Sequence, residues 1–370
     1  MYRVVLPFRV KRPILACGAD LKGAFALAKG DMAYLFDGFG DLSDIDNLTK
    51  YEKAVHAAIK NLKIEPAVVA CDLHPGYFST KFAEGFCTGY LQGGKLVPCN
   101  RYKVQHHEAH IASAIVDNGI KGEVFGAAFD GTGYGWDGNI WGGEFFKGGV
   151  KNLRRAAHLD YVAMPGGEAC IKEPWRMAAS YLYSAFGPDF LRLKISFVKG
   201  IDNKRWAVLK DMIDKKVNSP LTSSMGRLFD AVASIILNKS RAGYEAELPI
   251  ELEKTAAPQS NQFNRVGSTG SVGIIRGIVK DIGRKVESSV ISAKFHNSIA
   301  QMILEKAGVS KLKNVVLSGG VFQNKYLKDR AVKLLNANGF KAYAHSKVNT
   351  NDSGIPIGQI AIANARLLCA

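Results

Sequence analysis

Apolar positions recur along this chain in two rhythms. Short runs bounded by glycine, proline or polar residues read as buried strands, while stretches with apolar residues every three or four positions read as amphipathic helices. The run Pro13-Ile-Leu-Ala-Cys-Gly-Ala-Asp20 goes from a strand into a turn, and Met32–Phe36 supplies a second apolar stretch. A helix from about Leu48 to Leu62, a strand Pro66–Cys71, a helix through Thr80–Leu91 and a helix opening near His107 follow. The second half begins like the first: Val124, Phe125, Ala127, Ala128 and Phe129 lead to Asp130, and Asn139–Phe146 pairs with them as a hairpin. A largely helical stretch over about 172–307 precedes Asn314–Ser318, which resumes the sheet. Strands alternating with helices predict an α/β fold, and the repeated opening predicts an internal duplication. The expected organisation is an extension over 1–12, an N-terminal lobe over 13–120 and a C-terminal lobe over 121–370 that contains the helical insertion. The patch beginning Ser268-Thr-Gly-Ser-Val-Gly reads as a solvent loop.

Composition narrows the class. A chain of 370 residues with 47% hydrophobic residues buries a sizeable core and has the length of about two domains. No stretch approaches the ~20 uncharged apolar residues of a membrane span, so no membrane contact is expected and the cytoplasm is the expected location. The six cysteines (Cys17, Cys71, Cys87, Cys99, Cys170 and Cys369) include no CxxC pair, and are expected to be reduced and mostly packing. A net charge of +16, from 49 basic and 33 acidic residues, would attract nucleic acid, nucleotides or an acidic partner. No long basic run concentrates that charge, so a solubilising basic surface is an equal reading.

Candidate chemistry clusters in two places. In VQHHEAH, His106 and His110 stand at i and i+4, where imidazoles on a helix share a face with Cβ atoms roughly 5–6 Å apart. His107 and Glu108 point elsewhere. Such pairs also occur on ordinary helices without metal, and glycine turns after strands are commoner still. Here the strand ending at Asp130 runs directly into Gly131, Thr132, Gly133 and Gly135, which read as a turn. Lys313-Asn-Val-Val-Leu-Ser-Gly-Gly-Val-Phe-Gln-Asn324 also runs from strand through paired glycines into a helix, offering N–H groups to an anion such as phosphate. Asn351-Asp-Ser-Gly-Ile-Pro-Ile-Gly-Gln359 places Asp352 in a turn before a helix starting around Ile357. Asp352 is either a capping residue or, with His106, His110 and Asp130, part of a site of two nitrogens and two carboxylates. That donor set suits zinc, ferrous iron or manganese better than a thiolate-loving ion.

Eight segments in order resemble the C-terminal domain of the HypF carbamoyltransferases of nickel–iron hydrogenase maturation. They are GADLKGAF, CDLHPGYFST, VQHHEAH, FDGTGYGWDGNIWGGEF, PGGEACIKEPWRMA, TSSMGRLFDAVA, LSGGVFQN and NDSGIPIGQ, and they cover nearly the whole chain from Pro13. The resemblance implies a duplicated actin-like, Hsp70-like ATPase (ASKHA) fold with a nucleotide in the cleft between two lobes. It implies a divalent metal, zinc or iron and otherwise magnesium or manganese, on His106, His110, Asp130 and Asp352. It places nucleotide phosphates of ATP, or of carbamoyladenylate and its product AMP, at Gly131, Thr132 and Gly133 and at Gly319, Gly320 and Asn324. It places Asp230 on the ribose, although by pattern alone Asp230 is a surface carboxylate of an amphipathic helix. Lys22, Lys172 and Arg176 are candidates for carbamoyl or phosphate oxygens, or else solvated charges. Asp72 and His74, at the end of a buried strand, complete the expected catalytic set.

The implied reaction moves a carbamoyl group from carbamoyladenylate to the C-terminal cysteine thiol of a HypE-like acceptor, giving a thiocarboxamide. Full-length relatives carry acylphosphatase, zinc-finger-like and YrdC-like segments ahead of this domain, and the chain lacks them. It is therefore an excised piece or, as its Met1 favours, a stand-alone protein supplied by a separate YrdC-like protein. Competing readings are threonylcarbamoyl transfer to tRNA adenosine, O-carbamoylation of a small molecule, and a nucleotide-binding scaffold without activity. CDLHPGYFST and EPWRMA favour the HypF-like reading over these three, so tight tRNA binding is not expected.

Overall fold

Short apolar segments joined by long amphipathic helices produce two mixed sheets in the computed structural model, which describes residues 1–89, 91–92, 95–96, 99–257, 262–263 and 270–368. The first sheet contains β1 (Tyr2–Val5), β2 (Ile14–Ala16), β3 (Phe25–Lys29), β4 (Met32–Phe36), β5 (Val68–Asp72) and β8 (Asn100–Val104), with β6 (Leu91–Gln92) and β7 (Lys95–Leu96) forming a separate ribbon. Its order is β1-β4-β3-β2-β5-β8, antiparallel from β1 to β2 and parallel from β2 to β8. Helices α1 (Ile45–Leu62), α2 (Phe78–Gly89) and α3 (His106–Asp117) follow β4, β5 and β8.

The second sheet repeats the plan. β9 (Val124–Tyr134), β10 (Ile140–Gly148) and β11 (Arg154–His158) are antiparallel neighbours, and β14 (Asn314–Ser318) and β15 (Lys341–Tyr343) add in parallel beyond β9. The order β11-β10-β9-β14-β15 therefore matches β4-β3-β2-β5-β8 strand for strand, which is the duplication expected from the repeated opening. β12 (Val162–Ala163) and β13 (Leu221–Thr222) extend the edge of this sheet. Between β12 and β14 lie α4 (Ala169–Lys172), α5 (Trp175–Phe186), α6 (Ser196–Lys199), α7 (Asn203–Asp214), α8 (Met225–Leu237), α9 (Glu247–Thr255), α10 (Gly270–Gly283) and α11 (Ser288–Ser310). α12 (Lys325–Ala337) and α13 (Ile355–Leu367) complete the chain's described helices. No described helix is long and apolar enough to cross a membrane.

Two helices bind the lobes together. α3 is buried almost all round because it has two apolar faces: Ala109, Ala112 and Val116 pack with the first sheet, while Ile111, Ala114 and Ile115 pack with Val124, Ala128 and Val316 of the second. α13 returns to the first sheet, its Ile357 and Ile360 joining the cluster of Ile14, Ala16, Val68 and Ala70. α3 and α13 press together so closely that a Cβ on Gly358 would lie 1.9 Å from the Ala109 carbonyl oxygen.

Several local expectations change. The segment Gly131–Tyr134 is the end of a continuous β9, paired with β10 at Gly133 and Tyr134, because the turn falls later, at Gly135–Gly138. Residues 270–273 open α10, with Ser271 N bonded to the Asp160 carboxylate at 3.2 Å; Ser268 and Thr269 lie outside the described residues. Cys87 and Cys99 are disulfide-bonded with Cα atoms 5.3 Å apart, since the β5–α2–β8 crossover brings the end of α2 beside the start of β8. Spacing in sequence did not reveal that approach. Cys17, Cys71 and Cys170 are free and buried, as packing residues would be, and Cys369 lies outside the described residues.

Candidate functional site

The start of α3 fixes the metal-type cluster. The Gln105 side chain caps the helix, accepting from His107 N at 2.7 Å and Glu108 N at 3.0 Å. His106 and His110 then project from successive turns toward Asp130, within β9, and Asp352, in the turn before α13. His106 Nε2 lies 3.2 Å from Asp130 Oδ2 and 3.6 Å from Asp352 Oδ1, and His110 Nε2 lies 3.6 and 3.5 Å from the same atoms. One ligand atom from each of the four buried residues falls within 4.8 Å of the others. Asp352 is free for this position because its neighbour Asn351, not Asp352, caps the turn through Ser353 N.

Behind the cluster, Asp72 Oδ2 accepts from His106 Nδ1 at 2.8 Å, and Asp72 Oδ1 accepts from His74 N at 2.9 Å. Because a carboxylate only accepts, Nδ1 carries a hydrogen, and Nε2 is the nitrogen that faces the cluster and would ligate a cation. Asp72 has no exposed surface. Its two oxygens are taken by His74 N and His106 Nδ1, so within the described structure it orients His106.

A divalent ion fits these residues. His110 Nε2 is buried without a hydrogen-bond partner, so a donor atom aimed at the cluster has no protein group to satisfy it. Burial disfavours charge on His106, yet Asp352, Asp72 and Asp130 outweigh it and raise its pKa well above the usual imidazole value. His110 is raised against the same penalty by Asp130 and Asp352. Asp130 and Asp352 are held below the usual carboxylate range despite burial, through the two histidines. Two imidazoles and two carboxylates thus concentrate negative potential that either protons or a cation relieve.

The cluster opens onto a cleft of about 480 Å³ whose lining includes Asp130, Gly131, Asp230, Gly320, Asn324 and Asp352. Asp130 joins the two parts: Oδ2 faces the histidines, and Oδ1 accepts from Gly320 N at 3.2 Å. Gly319 adopts φ +103°, and a Cβ there would meet the Phe129 carbonyl oxygen at 2.2 Å, so the turn after β14 needs glycine to approach β9. Asn324 caps α12 through Leu327 N at 2.8 Å, and its Nδ2 lies 2.9 Å from His296 Nε2. Asp230 is buried in α8 and paired with Arg227 at 2.8 Å. Burial pushes its carboxyl up to about 6, with Arg227 opposing and Glu245 adding to the rise. Arg227 was not singled out by sequence; its signal is a lone cation three residues before Asp230 in an otherwise apolar helix.

Other expected residues fall elsewhere. Lys22 lines the cleft and pairs with Glu245 at 3.6 Å. Gly133 lies against the His107 ring, and neither it nor Thr132 lines the cleft. His74 is half-buried and stacks on Tyr77 with centroids 4.2 Å apart, and burial lowers its pKa. Lys172 and Arg176 do not line the cleft either; Lys172 is exposed, and Arg176 bonds Glu173 at 2.6 Å in a network that also draws in Arg205 and Arg241. That clustering comes from how α5, α7 and the segment after α8 converge, which the EPWRMA motif does not encode.

Two family models match this chain in series: the HypF Kae1-like domain over residues 9–117, and the second subdomain of the Kae1-like domain of carbamoyltransferases over residues 126–359. The chain belongs to the HypF carbamoyltransferase family. Its fold is the duplicated, actin-like Kae1-type fold that the two matching sheets display. Carbamoyltransferase HypF of Synechocystis is 33% identical, the alignment covering 96% of this chain and 48% of that protein. The carbamoyltransferase HypF homolog of Cupriavidus necator is 31% identical over 95% of this chain and 91% of its own length. The chain thus spans about half of the first relative and nearly all of the second. A crystal structure of full-length HypF in a phosphate- and nucleotide-bound form superposes with a TM-score of 0.89 at 36% identity, covering 99% of this chain and 57% of that one.

Proposed function

We propose that this chain transfers a carbamoyl group from carbamoyladenylate to the C-terminal cysteine thiol of a HypE-like acceptor in the cytoplasm, with a divalent metal on His106, His110, Asp130 and Asp352. The observation that carries the reading is Asp130, whose two oxygens face the histidine pair on one side and the Gly320 N–H on the other. A metal centre and a phosphate-binding turn that share one carboxylate suit a substrate whose carbonyl and phosphate are adjacent, as in an acyl-adenylate. Membership of the HypF family and similarity to a HypF crystallised with phosphate and nucleotide support the same ligand class.

Within this reading Gly131 lets the phosphate approach the backbone, Gly320 holds Asp130 through its N–H, Asp230 accepts from a ribose hydroxyl, and Lys22 offers an ammonium to anionic oxygens. Asp72 keeps the His106 tautomer fixed. A metal bound at the four ligands would supply Lewis acidity toward the carbonyl oxygen. The acceptor sulfur attacks the carbamoyl carbon as thiolate, forming the S–C bond. The C–O bond to the adenylate phosphate breaks with its electron pair, releasing AMP, and the thiol proton passes to solvent.

The test is to incubate the chain with ATP, carbamoyl phosphate, magnesium and a HypE protein, with and without a separate YrdC-like protein, and to read the intact mass of HypE. Addition of one carbamoyl group only when the YrdC-like protein is present supports a transferase supplied by another protein. Addition without it means that this chain also activates the carbamoyl group. No addition in either case, with a working HypF control, overturns the acceptor and turns the search to tRNA and small hydroxyl compounds.

A further inference from the structure

The mouth of the cleft already holds an anion belonging to the protein. Lys22 stands in the loop after β2, in the first lobe, and Glu245 in the segment between α8 and α9, in the second, so their ion pair at 3.6 Å spans the opening. Glu245 Oε1 also lies 4.0 Å from the position a Cβ on Gly131 would take, over the glycine that carries β9 into the cleft. One carboxylate therefore pairs with a cation and lies near a glycine backbone, two groups that suit a phosphate. Its position does not depend on Lys22 alone. Ala246 is held at φ +62°, a conformation that disfavours any residue with a Cβ, and the Glu247 carboxylate accepts from Gly243 N, so a tight turn presents Glu245 to the cleft.

We propose that Glu245 is an internal competitor for the anion subsite of the cleft, holding Lys22 until the phosphates of a bound nucleotide displace it. The inference rests on the nucleotide reading of the cleft. Both side chains keep roughly two-fifths of their surface, at 43% and 41%. An exposed pair of this kind is weak, while a phosphate offers more charge and more acceptor oxygens to the same ammonium. Lys22 therefore exchanges partners readily.

The experiment measures calorimetric binding of ATP and of adenosine to the full chain and to Glu245→Gln, Lys22→Met and the double variant. Removing the competitor should tighten ATP about three- to fivefold, in line with the small worth of an exposed ion pair. Lys22→Met should weaken ATP, and Glu245→Gln added to it should recover little, because the competition runs through Lys22. Adenosine, which carries no phosphate, should bind all four proteins alike. Unchanged or weaker ATP binding by Glu245→Gln overturns the proposal, and so does an equal gain in the Lys22→Met background, which would mean simple repulsion. If neither ATP nor adenosine binds any of the proteins, the nucleotide reading itself fails. Adenosine binding without the Glu245 effect removes only this inference.

Discussion

Replacing Asp72 by asparagine changes one buried group at constant shape, and its consequence for the metal centre follows from hydrogen-bond polarity. Asp72 accepts twice, from His74 N at 2.9 Å and His106 Nδ1 at 2.8 Å. An asparagine has one acceptor oxygen and one amide nitrogen, so one of the two N–H groups must face a donor. If the oxygen stays on the backbone N–H, the amide drives His106 to the other tautomer, with hydrogen on the Nε2 that faces Asp130 and Asp352. The ligand then loses its lone pair toward the metal. Losing a charge-assisted hydrogen bond costs about 1.5–3 kcal/mol, which agrees with the 10- to 100-fold drop in metal affinity typical of lost outer carboxylate partners. Competition titration of zinc against a chromophoric chelator should show Asp72→Asn about 10- to 100-fold weaker than the parent and His106→Ala weaker still. Parent-like zinc affinity in Asp72→Asn, in a protein that melts normally, would refute this account of Asp72.

Three further outcomes are expected. His296 is buried, donates from Nδ1 to Ser292 O at 2.8 Å and has its pKa lowered to about 4 by burial. The unfolded chain therefore binds more protons between pH 4 and 6.5, and this residue should remove about 2 kcal/mol of stability between pH 7 and 5. Urea unfolding should show a shallower loss over that range in His296→Gln, and equal slopes would contradict it. Gly358→Ala drives a methyl to 1.9 Å from the Ala109 carbonyl oxygen, and should cost about 2–4 kcal/mol by forcing α13 from α3; a change under about 0.5 kcal/mol in a denaturant melt would deny that the helices are pressed together. Arg227→Met leaves Asp230 buried without its cation, and should cost about 3 kcal/mol at pH 7.5. The deficit should shrink near pH 5.5, where the carboxyl, already pushed up to about 6, takes a proton; a deficit independent of pH would count against the pairing.

Much of the architecture was legible because its signals are local. The repeated opening at Pro13 and Val124 marks the duplication, since two lobes of one fold need the same apolar runs in the same order, and both sheets follow that order. The i, i+4 spacing of His106 and His110 is enough to put two imidazoles on one helical face. Strand limits were less legible at Gly131–Tyr134: glycines suggest a turn, but pairing with β10 continues the strand because ladder hydrogen bonds outweigh local propensity.

Sequence by itself determined the two-lobed plan, the histidine pair and the Gly319–Gly320 turn, all of which are written in periodicity and short spacing. Tertiary structure alone decided that Asp72 stands behind His106, that Arg227 neutralises a buried Asp230, that Lys22 faces Glu245 across the cleft and that Cys87 meets Cys99. The reason is physical. Those contacts join residues from separate elements, or depend on which face of a helix is buried, and their distances are set by how two sheets pack around α3 and α13.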